Sequence, residues 1–266
     1  MAVITFGMEF EIQGLSPAMA SRSLNNAGIE CDQGHDGSWS AKYDGSVSRG
    51  AEVISPILTA PRLNEAHRVT KALKTDGARV DRATGFHVHI GEQSLGFNQD
   101  STRASGSHLA NLVINWYAAH HAIAALVAPS RLHNRYCEVL DEARAMLQAD
   151  YSSQGSRGAW NGNRYVSLNL QSMLSHGTVE VRLHQGTLNG VKAIAWSQFI
   201  SAFIDATCNK SLSAIDMVGI NPFRHERGTW RSVAECHTLL DALVNLGSLN
   251  ASTGDWLKNR ANDLNS

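Results

Sequence analysis

The sequence predicts an α+β fold, or a mixed sheet, with helices packed on one side. Three observations carry this: strand-like alternation recurs along the chain, helical periodicity separates the strands, and one pair of strands is joined by a turn. The first element is VITFGMEFEI, Val3 to Ile12, in which residues 4, 6, 8, 10 and 12 are apolar and Glu9 and Glu11 share the opposite face. Ser16-Pro17 then reads as an N-cap and first-turn proline, and Gly28 as a stop, so a helix is expected over about residues 17 to 26.

Trp39 to Asp44 and Ala51 to Leu58 read as a hairpin turned through Gly45, Ser46 and Gly50. Leu63, Ala66, Val69 and Leu73 give helical spacing to Pro61–Lys74, and alternation resumes from Arg79 through FHVHIG. Ser107 to Val127 is a long apolar helix stopped by Pro129, and a second helix is expected to about Ala149. The Gly/Ser/Asn-rich stretch Tyr151 to Asn163 is long enough for a functional loop. Its Arg157 and Trp160 suit an anionic substrate or a lid, a plain surface loop being the alternative.

Arg164–Leu170 and Thr178–His184 are two further strands. Asn189 caps a helix running to about Thr207, Ser232 and Glu235 form a capping-box spacing before CHTLLDALVNL, and a last short helix starts near Asp255. With no repeat or linker, residues 1–266 are expected to form a single domain.

Composition narrows the function. The chain is 43% apolar and 18% charged, with a net charge of -1, as in ordinary globular proteins. It lacks the basic runs of a non-specific nucleic-acid binder, so no nucleic-acid partner is suggested. No segment resembles a signal peptide or a membrane span, so a cytoplasmic location is expected. Cys31, Cys137, Cys208 and Cys236 are too scattered for a redox pair or a zinc site and are expected to be buried thiols.

Acidic and imidazole side chains recur on the polar faces of the strands: Glu9 and Glu11, Asp44 and Glu52, His87 and His89, then Glu180 beside Arg182. Residues two apart on a strand point the same way, so neighbouring strands can deliver all of them to one surface. Any one such pair is ordinary on a solvated sheet. Several carboxylates gathered together call for cations, and a donor set of mainly oxygens suits Mg²⁺ or Mn²⁺, which commonly sit between carboxylates and nucleotide phosphates. ATP is therefore the expected ligand.

The segments FGMEFEI, WSAKYDGS followed by GAEVISP, TGFHVHIG, RYVSLNL and GTVEVRLHQGT are similar, in this order, to motifs of the amidoligase family. The resemblance spans about residues 4 to 205 and places the chain near glutamine synthetase and glutamate-cysteine ligase, among the carboxylate-amine ligases. It implies a glutamine-synthetase-like antiparallel sheet with metal ions on its concave face. It also implies metal ligands at Glu9, Glu11, Glu52, His87 and Glu180, with Asp44, shorter than the usual glutamate, ligating directly or through water. His89 matches a nucleotide contact, Arg182 an arginine that neutralises the transferring phosphate, and Arg164 a substrate- or phosphate-binding position. Glu52 and Arg182 are the residues assigned to catalysis.

The implied reaction activates a carboxylate with ATP and Mg²⁺ as an acyl phosphate, which an amine attacks to give an amide. Small-molecule, peptide or protein substrates all fit, and oligomeric state is unread. Two other readings use the same residues: a guanidino- or amine-directed phosphotransferase, and a non-catalytic nucleotide- or metal-binding module. Beyond about residue 206 the sequence implies only a helical extension. His120-His121, on an apolar helix, reads as core or surface rather than site, and Trp39 as packing.

Overall fold

The computed structural model describes residues 4–32, 37–43, 50–95, 102–139, 164–209 and 231–266. Strand β1, Thr5–Gln13, runs through the middle of the sheet. Its even residues Phe6, Met8, Phe10 and Ile12 are buried on the helix side, which leaves Glu9 and Glu11 on the other face. On one side β1 pairs with β3 (Gly50–Ile54), which pairs with β2 (Ser40–Lys42); on the other it pairs with β5 (Gly85–Gly91), followed by β7 (Thr178–Gln185) and β6 (Leu168–Asn169). The two-residue β4, Leu58–Thr59, pairs with the start of β1, and all these pairings are antiparallel.

Helices α1 (Pro17–Asn26), α2 (Glu65–Thr75) and α6 (Gly190–Ile204) cover the apolar face, α1 against β2 and β3 and α6 against β5 and α2. Ser16 Oγ accepts from the Met19 amide at the start of α1, and Gly28, at φ 68°, supplies the left-handed residue that ends it. Phe10 and Phe86 stack at 4.7 Å within this layer, where Trp196, Phe199 and Phe203 of α6 are buried. Trp39 is packing, with its indole N–H donating to Glu65 at 3.1 Å.

Helices α3 (Thr102–Ala118), α4 (His120–Ala124), α7 (Val233–Asn245) and α8 (Ala251–Asn265) extend this layer, α7 packing on α4 and α8. The Ser232 hydroxyl accepts from the Glu235 amide as the capping-box spacing predicts. His120 is buried, and all four cysteines are free and buried. Among the described residues no helix is long and apolar enough to cross a membrane.

Several boundaries differ from the sequence reading. The strand expected to reach Leu58 stops at Ile54, because Pro56 has no N–H for a ladder and the chain re-enters the sheet only at β4. The strand expected from Arg79 starts at Gly85, because the Asp81 carboxylate accepts from the amides of Ala83 and Thr84 and holds a turn there. The long apolar helix is broken at Ala119, between α3 and α4. Of Arg164–Leu170 only Leu168–Asn169 is strand. The last helix starts at Ala251 rather than Asp255, capped by Asn250, whose side chain accepts from the Thr253 amide. A short helix, α5 (Ser172–His176), lies beside the polar face, so the helices are not confined to one side. The second helix expected to about Ala149 is not formed over residues 132–139, where Asn134 Oδ1 accepts from the Tyr136 amide and holds a turn; residues 140–149 and the whole of the Tyr151–Asn163 loop lie outside the described residues.

One irregularity shapes the last strands. His89 faces Glu180 and Val88 faces Val181 across β5 and β7, but Phe86 faces His184, so Arg182 and Leu183 stand opposite the single His87. This bulge moves His184 off the face of Glu180 and Arg182 and into the helix layer, 5.7 Å from the Phe86 ring.

Candidate active site

The polar face forms the floor of a cavity of about 660 Å³, and Glu9, Glu11, Glu52, His87, His89, Arg164, Glu180 and Arg182 all line it. Register explains the convergence: Glu9 lies opposite His87 and Glu11 opposite Glu52 on the strands flanking β1, while His89 lies opposite Glu180 and Asn169 lies opposite Glu180 from the other side. Asp44 lies outside the described residues.

Glu9 is the hub. Its Oε2 is 3.2 Å from His87 Nδ1 and its Oε1 is 3.0 Å from His89 Nε2. His87 Nδ1 is also 3.4 Å from Glu180 Oε1, and its Nε2 is 3.5 Å from Glu11 Oε1. Two sets of side chains bring one possible ligand atom each to within 4.8 Å of the others: Glu9, His89 and Glu180, and Glu9, Glu52 and His87. Glu9 belongs to both.

The charges follow from this crowding. Burial alone would raise the Glu9 carboxyl, but the His87 and His89 imidazoles beside it hold it well below the usual carboxylate value. Glu180 is also held low against its burial, by His87, Arg182 and His89, although Glu9 opposes them. Burial would lower His89, yet the Glu9 and Glu180 carboxylates outweigh it and raise the imidazole above its ordinary value. The buried carboxylates therefore stay ionised and draw positive charge toward them.

Arg182 pairs through Nη1 with Glu180 Oε1, and its Nε donates to the Tyr136 carbonyl at 3.2 Å. It therefore forms a cationic wall beside the carboxylates. The Arg164 guanidinium lies 5.0 Å from the Tyr165 ring centroid, toward the exposed side.

Some residues had no role in the sequence reading. Arg131, 2% exposed, donates to the carbonyls of Leu183 at 3.3 Å and Arg182 at 2.8 Å, bracing the β7 bulge while lining the cavity. It follows Pro129 in a short 3-10 turn, where no periodicity marks it. Asn169, inside the quoted RYVSLNL motif, donates through Nδ2 to Glu180 Oε2 at 2.7 Å and accepts from the Gln171 amide. Gly85 is required by close approach: its amide donates to Glu11 Oε2 at 2.5 Å, and a Cβ there would stand 2.6 Å from His87 Nε2.

Fold and site together define an α+β protein whose antiparallel sheet carries, on one face, a cluster of carboxylates and imidazoles able to hold metal ions, with an arginine in the same wall. The chain matches the family model described as "Putative amidoligase enzyme" over residues 2–204, a match that ends with helix α6. It belongs to this amidoligase family, whose name is that of a ligase-type enzyme. No curated protein matches the chain.

Proposed function

We propose that the protein is an ATP- and Mg²⁺-dependent ligase that joins a carboxylate to an amine through an acyl phosphate, and that its sheet is of the glutamine-synthetase type. The observation that carries this reading is the shared Glu9 carboxylate, which joins two sets of possible metal ligands on the wall that also holds Arg182. The donors fit divalent metal ions: mainly carboxylate oxygens, ionised despite burial, with two imidazoles, of which His89 turns a buried Nε2 toward Glu9 and Glu180. Glu9, Glu52 and His87 would hold one ion, and Glu9, His89 and Glu180 another. Bound metal supplies charge neutralisation for the nucleotide phosphates and the transferring phosphoryl group.

The chain's own residues do the rest. Arg182, oriented by Glu180 and the Tyr136 carbonyl, presents a fixed positive charge where negative charge develops during transfer. Asn169 and the Gly85 amide each take one oxygen of a carboxylate, Glu180 and Glu11, and so limit how those groups rotate. Arg164, nearer the cavity rim, suits an anionic group of a substrate or the nucleotide.

Incubation with ATP, Mg²⁺, hydroxylamine and a pool of carboxylic acids tests the reaction. A hydroxamate, formed only when ATP is present, is the expected product. A stable phosphorylated amine or guanidine in its place would move the protein to the phosphotransferases.

A further inference from the structure

We infer that His89 binds the cation on the β7 side directly through Nε2, with the hydroxyls of Thr178 and Ser172 acting as its positioning residues. This rests on the metal requirement of the ligase reading and departs from the nucleotide contact that the resemblance implies for His89. The two nitrogens of the ring are in different situations. Nε2 is buried and faces two carboxylates, 3.0 Å from Glu9 Oε1 and 3.9 Å from Glu180 Oε1. Nδ1 is 2.8 Å from Thr178 Oγ1 and 3.3 Å from Ser172 Oγ, and the two hydroxyls are 2.8 Å apart.

A hydroxyl can accept from Nδ1–H while donating onward, and the Thr178–Ser172 pair provides such a relay. A cation seated between the two carboxylates would displace the proton they favour at Nε2, leaving the ring proton at Nδ1 and the Nε2 lone pair turned to the metal. A neutral imidazole held this way by an outer hydrogen bond is the usual state of a metal-ligating histidine. His89 is 8% exposed, and a Cβ at its cross-strand neighbour Gly7 would lie only 3.2 Å from the His89 Cβ, so the imidazole sits close against β1 at the floor of the cavity.

The test uses the full chain loaded with Mn²⁺ alone, without nucleotide. In pulsed electron paramagnetic resonance, His87→Gln protein should keep the modulation of a directly bound imidazole nitrogen, and protein carrying both His87→Gln and His89→Gln should lose it. Absence of that modulation in the single variant, or its persistence in the double variant, overturns the assignment. Thr178→Val should weaken Mn²⁺ binding about 10- to 100-fold, the range for loss of an outer-shell partner, and Thr178→Ser should restore it. Equal affinity in all three proteins, or no restoration by serine, removes the positioning role. A wild-type chain that binds no Mn²⁺ sinks the ligase reading together with this one. Wild-type hydroxamate formation alongside a failed nitrogen test removes the His89 assignment alone.

Discussion

His89 and His184 stand on adjacent strands of one sheet, 8% and 2% exposed, and their surroundings drive them in opposite directions. On the helix side, burial pushes His184 down to about 3, and the charges of Lys192, Arg131 and Arg260 add to this. Its Nδ1–H donates to the Gln185 carbonyl at 2.6 Å. On the cavity side, burial acts on His89 in the same sense but is overcome by Glu9 and Glu180. Depth alone therefore does not set the charge of a buried imidazole; what faces it does. One face spends its buried volume on packing, the other on concentrated charge.

If that division holds, substitutions on the two faces should fail in different assays. Phe199→Ala, in the stack with Trp196 and Phe203, should cost about 3–5 kcal/mol of stability, read by urea unfolding. A loss below about 1 kcal/mol would mean that the helix layer is far looser than its burial implies. Glu9→Gln should lower ATP-dependent hydroxamate formation about 10²- to 10³-fold, the scale of losing one group that stabilises transition-state charge. Its unfolding free energy should fall by less than that of Phe199→Ala, by the loss of the charge that faces His87 and His89; collapse of the fold would break the comparison.

Gly85→Ala sits between these cases, because its methyl group meets His87 Nε2. It should weaken Mn²⁺ binding about 10- to 100-fold, by displacing a ligand rather than removing one. Calorimetry showing wild-type affinity would mean that His87 can move aside at no cost.

The remaining effect concerns pH. The folded-state value of His184, about 3, lies below the ordinary value of 6.5. Its contribution to stability is therefore complete above pH 6.5 and drains as pH falls toward 3, where the unfolded chain takes up a proton that the folded one refuses. His184→Gln should flatten the acid limb by about 1.4 kcal/mol per pH unit in urea unfolding between about pH 6.5 and 4. His120, also pushed down to about 3 by burial and by His121, keeps its own share of that slope. An unchanged limb would mean that His184 takes up its proton inside the fold.

The sheet was largely legible because its strands are half-buried and alternate. Glu9, Glu11, His87, His89, Glu180 and Arg182 could each be placed on the polar side by parity, and the structure brings them into one cavity. What parity cannot show is distance across the site. It did not reveal that Glu9 joins two ligand sets, or that His89 approaches the carboxylates as closely as His87 does. Arg131 escaped because a buried arginine that hydrogen-bonds to carbonyls leaves no pattern in its own segment. Helix ends were read well where a capping side chain stood at the boundary, as at Ser16 and Ser232, and the start at Asn250 was missed although the same device is present there.

The extra residue in β7 works as a change of phase. Up to Arg182, even numbers on this strand address the cavity; by His184 they address the helices, and Arg131 clamps the two carbonyls where the change occurs. The strand thus carries two frames, and its length is not free to vary. Deleting Leu183 would bring the imidazole of His184 round to the acidic wall, a third histidine among the carboxylates, and would take it from its place beside Trp196. A one-residue change in chain length would alter the charge of the site and the packing of the core together.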